Sequence, residues 1–253
     1  MRISVILPVY NGGPFILESA SRLEEFLFSR FKEFEIILIN DGSKDNTAKQ
    51  LAQIRSSNVK VLELKKNQGK FAAIKAGVKE AKGECILFTD ADLPYDLEAI
   101  SYMEHLVNLR SFHVVIGDRR LPGSQYRELL PFLRRCCTSF FSHSVRLLVY
   151  RELLDTQCGL KAFRFDVAKE IFPLLSCNRF AADVELLYIA LKYNLELRRI
   201  PVRLQRQGLS TVCSIKDGFQ MLFTVATLRY NWVSGKYKSE TLFNIGKQHY
   251  WNR

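Results

Sequence analysis

The sequence predicts an α/β fold, a mostly parallel central sheet with helices on both faces. Three observations predict it. Over roughly residues 3–120, short apolar runs alternate with stretches whose apolar residues recur at helical spacing. The apolar runs lack polar alternation, as strands covered on both sides do. Polar loops close several of these runs, at the sheet edge where open α/β folds carry ligands.

Taken in order, Ile3-Ser4-Val5-Ile6-Leu7 is a strand ended by Pro8. Residues 14–31 follow as a helix, with Phe15, Leu17, Ala20, Leu23, Phe26, Leu27 and Phe31 at helical spacing. Glu35-Ile36-Ile37-Leu38-Ile39 is the second strand, followed by a turn at Asp41-Gly42-Ser43 and a helix near 44–55. Val59 to Leu64 reads as a third strand, Gly69 to Ala81 as a helix, and Cys85-Ile86-Leu87-Phe88 as a fourth strand. A helix near 95–109 leads to a fifth strand, His113-Val114-Val115-Ile116-Gly117.

The second half has a different texture. Residues 132–149 and about 217–233 are amphipathic and rich in Phe, and the first of them carries Arg134, Arg135, His143 and Arg146 off its apolar face. Each reads either as core packing or as insertion at a lipid headgroup boundary. With no linker or repeat, the expected organisation is one compact body. It comprises a first half at 1–120, a second half at 121–235, and a tail at 236–253 that matches no pattern.

Composition excludes disorder, collagen-like repeats and a disulfide scaffold: 47% of the 253 residues are hydrophobic and 25% charged. The formal net charge of +11 is uneven. Residues 1–125 hold 17 Lys/Arg and 16 Asp/Glu, whereas residues 126–253 hold 20 and 10. The second half is therefore expected to meet something anionic: nucleic acid, a membrane surface or a phosphorylated substrate. No helix-turn-helix, zinc-finger or RNA-binding sheet motif supports nucleic acid. The opening apolar run is too short for a signal peptide, and no run of about 18 uncharged apolar residues predicts a membrane span. The six cysteines lack paired spacing, so the expectation is reduced thiols in a cytoplasmic protein.

The chemistry centres on Asp90-Ala91-Asp92, just after the fourth strand. Two carboxylates one residue apart repel each other, and a hard divalent cation with oxygen ligands relieves that repulsion. Such a cation bridges to diphosphate oxygens and stabilises charge on a departing nucleotide. The competing reading has Asp92 capping the next helix, with Pro94 near its first turn. Pro8-Val9-Tyr10-Asn11 and Asn40-Asp41-Gly42-Ser43 put two further polar loops on the same edge. Asp41 can accept hydrogen bonds from base or ribose groups, and Tyr10 offers a stacking face.

Together, Ser4-Val5-Ile6-Leu7-Pro8-Val9-Tyr10-Asn11, Ile39-Asn40-Asp41-Gly42-Ser43, Asn67-Gln68-Gly69-Lys70 and Asp90-Ala91-Asp92 resemble the inverting family 2 glycosyltransferases of the GT-A fold. Downstream, Asp155-Thr156-Gln157-Cys158-Gly159-Leu160-Lys161-Ala162-Phe163, Arg179 to Leu187 and Ile200-Pro201-Val202-Arg203 look like segments of the dolichyl- and polyprenyl-phosphate glucosyltransferases, relatives of dolichol-phosphate mannose synthases. The resemblance implies a nucleotide held around Pro8, Tyr10, Asp41, Gly69, Lys70, Asp90 and Ala91. It implies magnesium or manganese on Asp90 and Asp92, and UDP-glucose as donor before GDP-mannose. It also implies a polyprenyl-phosphate acceptor, met by a peripheral protein on the cytoplasmic face of a membrane. Asn40 replaces the first Asp of many relatives, and Gly12 stands where some carry Glu.

Inverting transfer is one in-line displacement at the anomeric carbon, so the catalyst must hold the nucleophile and stabilise the departing diphosphate. A lipid phosphate acceptor is already mostly anionic, its second pKa being about 6. It needs orienting cations rather than a base. Arg119, Arg120, Arg127, Arg134, Arg135 and Arg203 are the candidates, with Arg119 and Arg203 first. A sugar hydroxyl in polysaccharide synthesis would instead need a carboxylate base, for which Asp183 and Glu185 are the candidates, at the start of a helix Val184–Leu191. Asp155 and Gln157 are candidates for orienting the sugar or lining the acceptor entry, and His113 and His143 read as structural.

Overall fold

The computed structural model describes residues 2–125, 155–177, 181–205 and 226–251. The Arg127, Arg134, Arg135 and His143 candidates, the 132–149 segment and Arg179 and Phe180 lie outside these residues. So does the part of the second amphipathic segment before residue 226.

The first half follows the expected alternation. Strand β1 (Ile3–Val9) is followed by α1 (Ile16–Arg30), β2 (Phe34–Asn40), α2 (Thr47–Leu51), β3 (Val59–Glu63) and α3 (Lys70–Glu80). Then come β4 (Cys85–Phe88), α4 (Glu98–Asn108) and β5 (Val114–Asp118). The helix expected over 44–55 shrinks to five residues. Its first residues serve the neighbouring loop instead: the Lys44 N–H donates to Asn11 Oδ1 at 2.9 Å, and Asp45 Oδ1 accepts the Thr47 N–H at 3.0 Å.

Seven strands form one sheet in the order β3-β2-β1-β4-β6-β5-β7. Strand β6 (Lys161–Arg164) is antiparallel to both neighbours, while β7 (Leu197–Pro201) pairs parallel with β5. Because β6 runs backwards, its first residue sits at the ligand edge. Lys161 pairs with Phe88 on one side and Ile116 on the other. The residues entering β6 therefore lie beside the loop that leaves β4.

Alternate strand residues feed two cores. Ile6, Ile37, Ile39, Ile86, Phe88, Ile116 and Phe163 pack against α3, α5 (Phe165–Leu174), α6 (Ala181–Lys192) and α7 (Glu240–Trp251). Val5, Leu7, Ile36, Leu38, Leu87, Val115 and Ala162 pack against α1 and α4. Both sheet faces are thus covered, as the unbroken apolar runs require. Four rings, Phe71, Phe88, Phe163 and Phe172, meet at centroid separations of 5.3–6.2 Å and tie α3 and α5 to the sheet. Residues 226–233 are helical, with Leu228 buried but Tyr230 and Val233 exposed. The tail joins the body, since Tyr237 and Leu242 are fully buried. No helix among the described residues is long and apolar enough to cross a membrane.

Candidate active site

The site is built where β1, β2 and β4 end and β6 begins. The first two loops are sewn together. Asn11, at φ +54, donates its N–H to Ser43 Oγ at 2.9 Å, the Gly12 N–H donates to Thr47 Oγ1 at 2.9 Å, and the Gly13 N–H donates to Asp45 at 3.1 Å. This leaves Pro8 half-buried and the Tyr10 ring exposed at the edge.

Asp41 faces the next loop. It is 2% exposed and its two oxygens accept the N–H groups of Gln68 at 2.8 Å and Gly69 at 2.9 Å. It thereby holds the turn that starts α3. Gly69 occupies φ +99, a conformation that costs a residue with a Cβ far more than glycine. The first helical residue is Lys70, whose ammonium donates to Asp90 Oδ1.

Asp90, Ala91 and Asp92 leave the end of β4 in a tight turn closed by the Leu93 N–H on the Asp90 carbonyl at 3.0 Å. Leu93 takes φ +47, a strained setting for a branched side chain. Both carboxylates are half-buried and Ala91 is buried. Helix α4 begins only at Glu98, so Asp92 is not its cap. Burial opposes ionisation of Asp90, but Lys70, Lys161 and Arg119 outweigh it and hold the carboxyl below its ordinary range.

Three ion pairs converge on this edge. Arg119 grips Asp155 through Nε at 2.6 Å and Nη2 at 2.8 Å, while its backbone N–H donates to the same carboxylate at 3.0 Å. Burial opposes ionisation of Asp155, yet Arg119 keeps it below the usual carboxylate range. Lys161 is wholly buried and donates to Asp183 Oδ1 at 2.5 Å and to the Cys158 carbonyl at 2.6 Å. Gly159 presses its backbone on Asp90, for an added Cβ would sit 2.0 Å from Oδ2. Lys70–Asp90, Lys161–Asp183 and Arg119–Asp155 influence one another, since Lys161 and Arg119 also act on Asp90 and Lys161 on Asp155. Sequence reasoning missed Lys161, and the signal available was a lysine inside the apolar run Leu160-Lys161-Ala162-Phe163.

The remaining candidates separate. Glu185 is fully buried and turned away from Asp183. It accepts the N–H groups of Ser176 at 3.0 Å and Cys177 at 2.9 Å and the Tyr237 hydroxyl at 2.6 Å. Arg203 is exposed, and its carbonyl accepts the Asp96 N–H at 3.0 Å, which lays residues 202–205 beside the loop after Asp92. Arg120 donates its backbone N–H to Asp118 at 2.9 Å. Gln157 is half-buried next to Asp155, to which its N–H donates at 3.3 Å. His113 is structural, its Nδ1 accepting the Glu196 N–H at 2.8 Å.

Asp90 and Asp92 offer half-buried, hard oxygen donors one residue apart at the ligand edge, so the residues fit a divalent cation. Among the described residues no group of three or more His, Cys, Asp or Glu could hold a metal alone.

Residues 4–172 match the family described as Glycosyl transferase family 2. The dolichyl-phosphate beta-glucosyltransferase of Dictyostelium discoideum is 33% identical over 252 residues, covering 93% of this chain and 76% of that protein. The Homo sapiens protein of the same name is 28% identical over 253 residues, covering 94% of this chain and 78% of that one. Among solved structures, glucosyl-3-phosphoglycerate synthase from Mycobacterium tuberculosis in complex with Mn2+ and UDP-glucose superposes with a TM-score of 0.64. It shares 16% identity and covers 90% of this chain and 78% of its own. That likeness establishes the GT-A fold. With two thirds of its length matched by the family, and its loops in the family's order along one sheet edge, the chain belongs to glycosyl transferase family 2.

Proposed function

We propose that the protein transfers glucose from UDP-glucose to a dolichyl or other polyprenyl phosphate, as a peripheral enzyme on the cytoplasmic face of a membrane. The names of its relatives support the sugar and the acceptor. The complex of its structural neighbour with Mn2+ and UDP-glucose supports the donor and the metal.

Asp90 and Asp92 would hold Mg2+ or Mn2+, which when bound neutralises charge on the diphosphate leaving group. The chain's own residues do the rest. Tyr10 and Pro8 line the nucleotide edge, and Asp41 fixes the turn that presents Lys70. Arg119, clamped by Asp155, and Arg203 supply guanidinium groups for the acceptor phosphate.

The observation that carries the acceptor choice is the Lys161–Asp183 pair. A buried carboxylate bound to an ammonium is a poor general base, because protonating it leaves an unpaired buried cation. Glu185 is committed to Ser176, Cys177 and Tyr237. An acceptor that arrives already anionic needs neither residue as a base. Incubation with UDP-glucose, Mn2+ and a short polyprenyl phosphate is expected to yield a lipid-linked glucose. Transfer to glycan hydroxyls alone, or no lipid product with any nucleotide sugar, overturns the reading.

A further inference from the structure

Asp90 is enclosed on two sides. Its Oδ2 lies against the Gly159 backbone, and its Oδ1 accepts from the Lys70 ammonium. The Lys70 and Asp90 side chains keep 31% and 36% of their surface, so the pair is reachable from solvent. An ammonium and a dication on one carboxylate repel each other strongly where water is partly excluded. One must leave for the other to bind.

The backbone of Lys70 is not what moves. Asp41 holds the two preceding N–H groups, and Lys70 begins the eleven-residue helix α3. The movable part is the four-carbon side chain, whose rotatable bonds let the ammonium swing about a fixed Cα. The anion that suits it there is the diphosphate of the donor, on the same sheet edge.

We propose that Lys70 is a built-in counter-cation for Asp90, held on that carboxylate in the nucleotide-free protein and handed to the donor diphosphate when metal and nucleotide bind. The proposal rests on the reading of Asp90 and Asp92 as metal ligands. Its consequence is coupling. A metal arriving alone competes with a tethered ammonium present at high effective concentration. A nucleoside diphosphate gives that ammonium another partner, so each ligand strengthens the other's binding by the same factor. Lys70 is thus a positioning residue for the metal as well as a contact for the phosphates.

The test is Mn2+ binding to the full chain, followed by the electron paramagnetic resonance signal of free Mn2+ and by calorimetry, with and without UDP. For the parent protein, UDP is expected to tighten Mn2+ binding at least tenfold. In Lys70→Met, Mn2+ alone should bind at least tenfold more tightly than in the parent, and the gain from UDP should shrink. Lys70→Gln provides a second neutral side chain if the Met variant folds poorly, as judged by circular dichroism. Lys65→Met removes an exposed cation two residues outside the Asn67–Lys70 turn and should stay within twofold of the parent. Unchanged or weaker Mn2+ binding in both Lys70 variants, or equal tightening in Lys65→Met, overturns the proposal. If neither the parent nor the Lys70 variants bind Mn2+ even with UDP, the metal reading itself falls, which distinguishes the two failures.

Discussion

Lys161 Nζ donates to Asp183 Oδ1 at 2.5 Å, and neither side chain is more than 8% exposed. The lysine comes from the antiparallel strand β6 and the aspartate from the first turn of α6. Two residues on, Glu185 faces the opposite way, because positions i and i+2 of a helix lie about 200° apart. One helix thus sends one carboxylate to the candidate site and the other to the C-terminal segment.

Removing one member of the Lys161–Asp183 pair leaves its partner charged and buried. Lys161→Met is expected to cost about 3–5 kcal/mol in urea unfolding. The double change Lys161→Met with Asp183→Leu should cost less than the sum of the single changes. Strict additivity would show that the two charges do not depend on each other.

Glu185 should matter for stability and not for chemistry. Glu185→Ala strands the buried Tyr237 hydroxyl, at about 1–3 kcal/mol, and leaves the part-buried N–H groups of Ser176 and Cys177 without this partner at a smaller cost. A markedly lower thermal midpoint is expected, with turnover per folded molecule within about twofold of the parent. A large loss of turnover at unchanged stability would return Glu185 to the catalytic machinery.

Gly159→Ala is expected to act on the site with little effect on the fold. Its new methyl would fall 2.0 Å from Asp90 Oδ2 and 2.8 Å from Cγ, so the carboxylate must move. A displacement of about 1 Å in a catalytic array costs about a hundredfold in rate. kcat/KM for UDP-glucose should fall by that order, while the thermal midpoint shifts only a few degrees.

Burial pushes the Cys158 thiol up to about 11 from an ordinary value near 9. Since the folded value is raised, the unfolded chain loses this proton first. Stability from this group is complete below pH 9 and declines as pH rises from about 9 to about 11. The urea midpoint should drop between pH 8.5 and 10.5, and Cys158→Ala should lessen the drop. The same burial predicts that iodoacetamide at pH 8 leaves Cys158 unmodified until the protein unfolds.

The strands of the first half were legible because a strand buried on both faces needs an unbroken apolar run, and Ile3–Leu7 or Cys85–Phe88 can be little else. Helix α2 was overdrawn because the N–H groups of Lys44 and Thr47 go to Asn11 and Asp45, which periodicity does not register. Strand β6 was not legible as a strand. It is four residues long with a lysine at its head, and its pairing partners lie 45 to 79 residues upstream in the chain. The tail at 236–253 carried no pattern because Tyr237 and Leu242 earn their burial only against α5 and α6.

The sequence by itself determined the α/β plan, the order of the edge loops and the identity of the acidic pair Asp90 and Asp92. These follow from local periodicity and from loops that must close buried strands. Only the tertiary structure decided which charge meets which. Lys70 with Asp90, Lys161 with Asp183 and Arg119 with Asp155 are pairs 20, 22 and 36 residues apart. The first pair meets because α3 starts and β4 ends at the same sheet edge, and the other two because β6 enters the sheet backwards and brings residues 155–161 to the end of β4. A buried ion pair is fixed by where the backbone carries its two ends, and no pattern within either segment alone specifies that position.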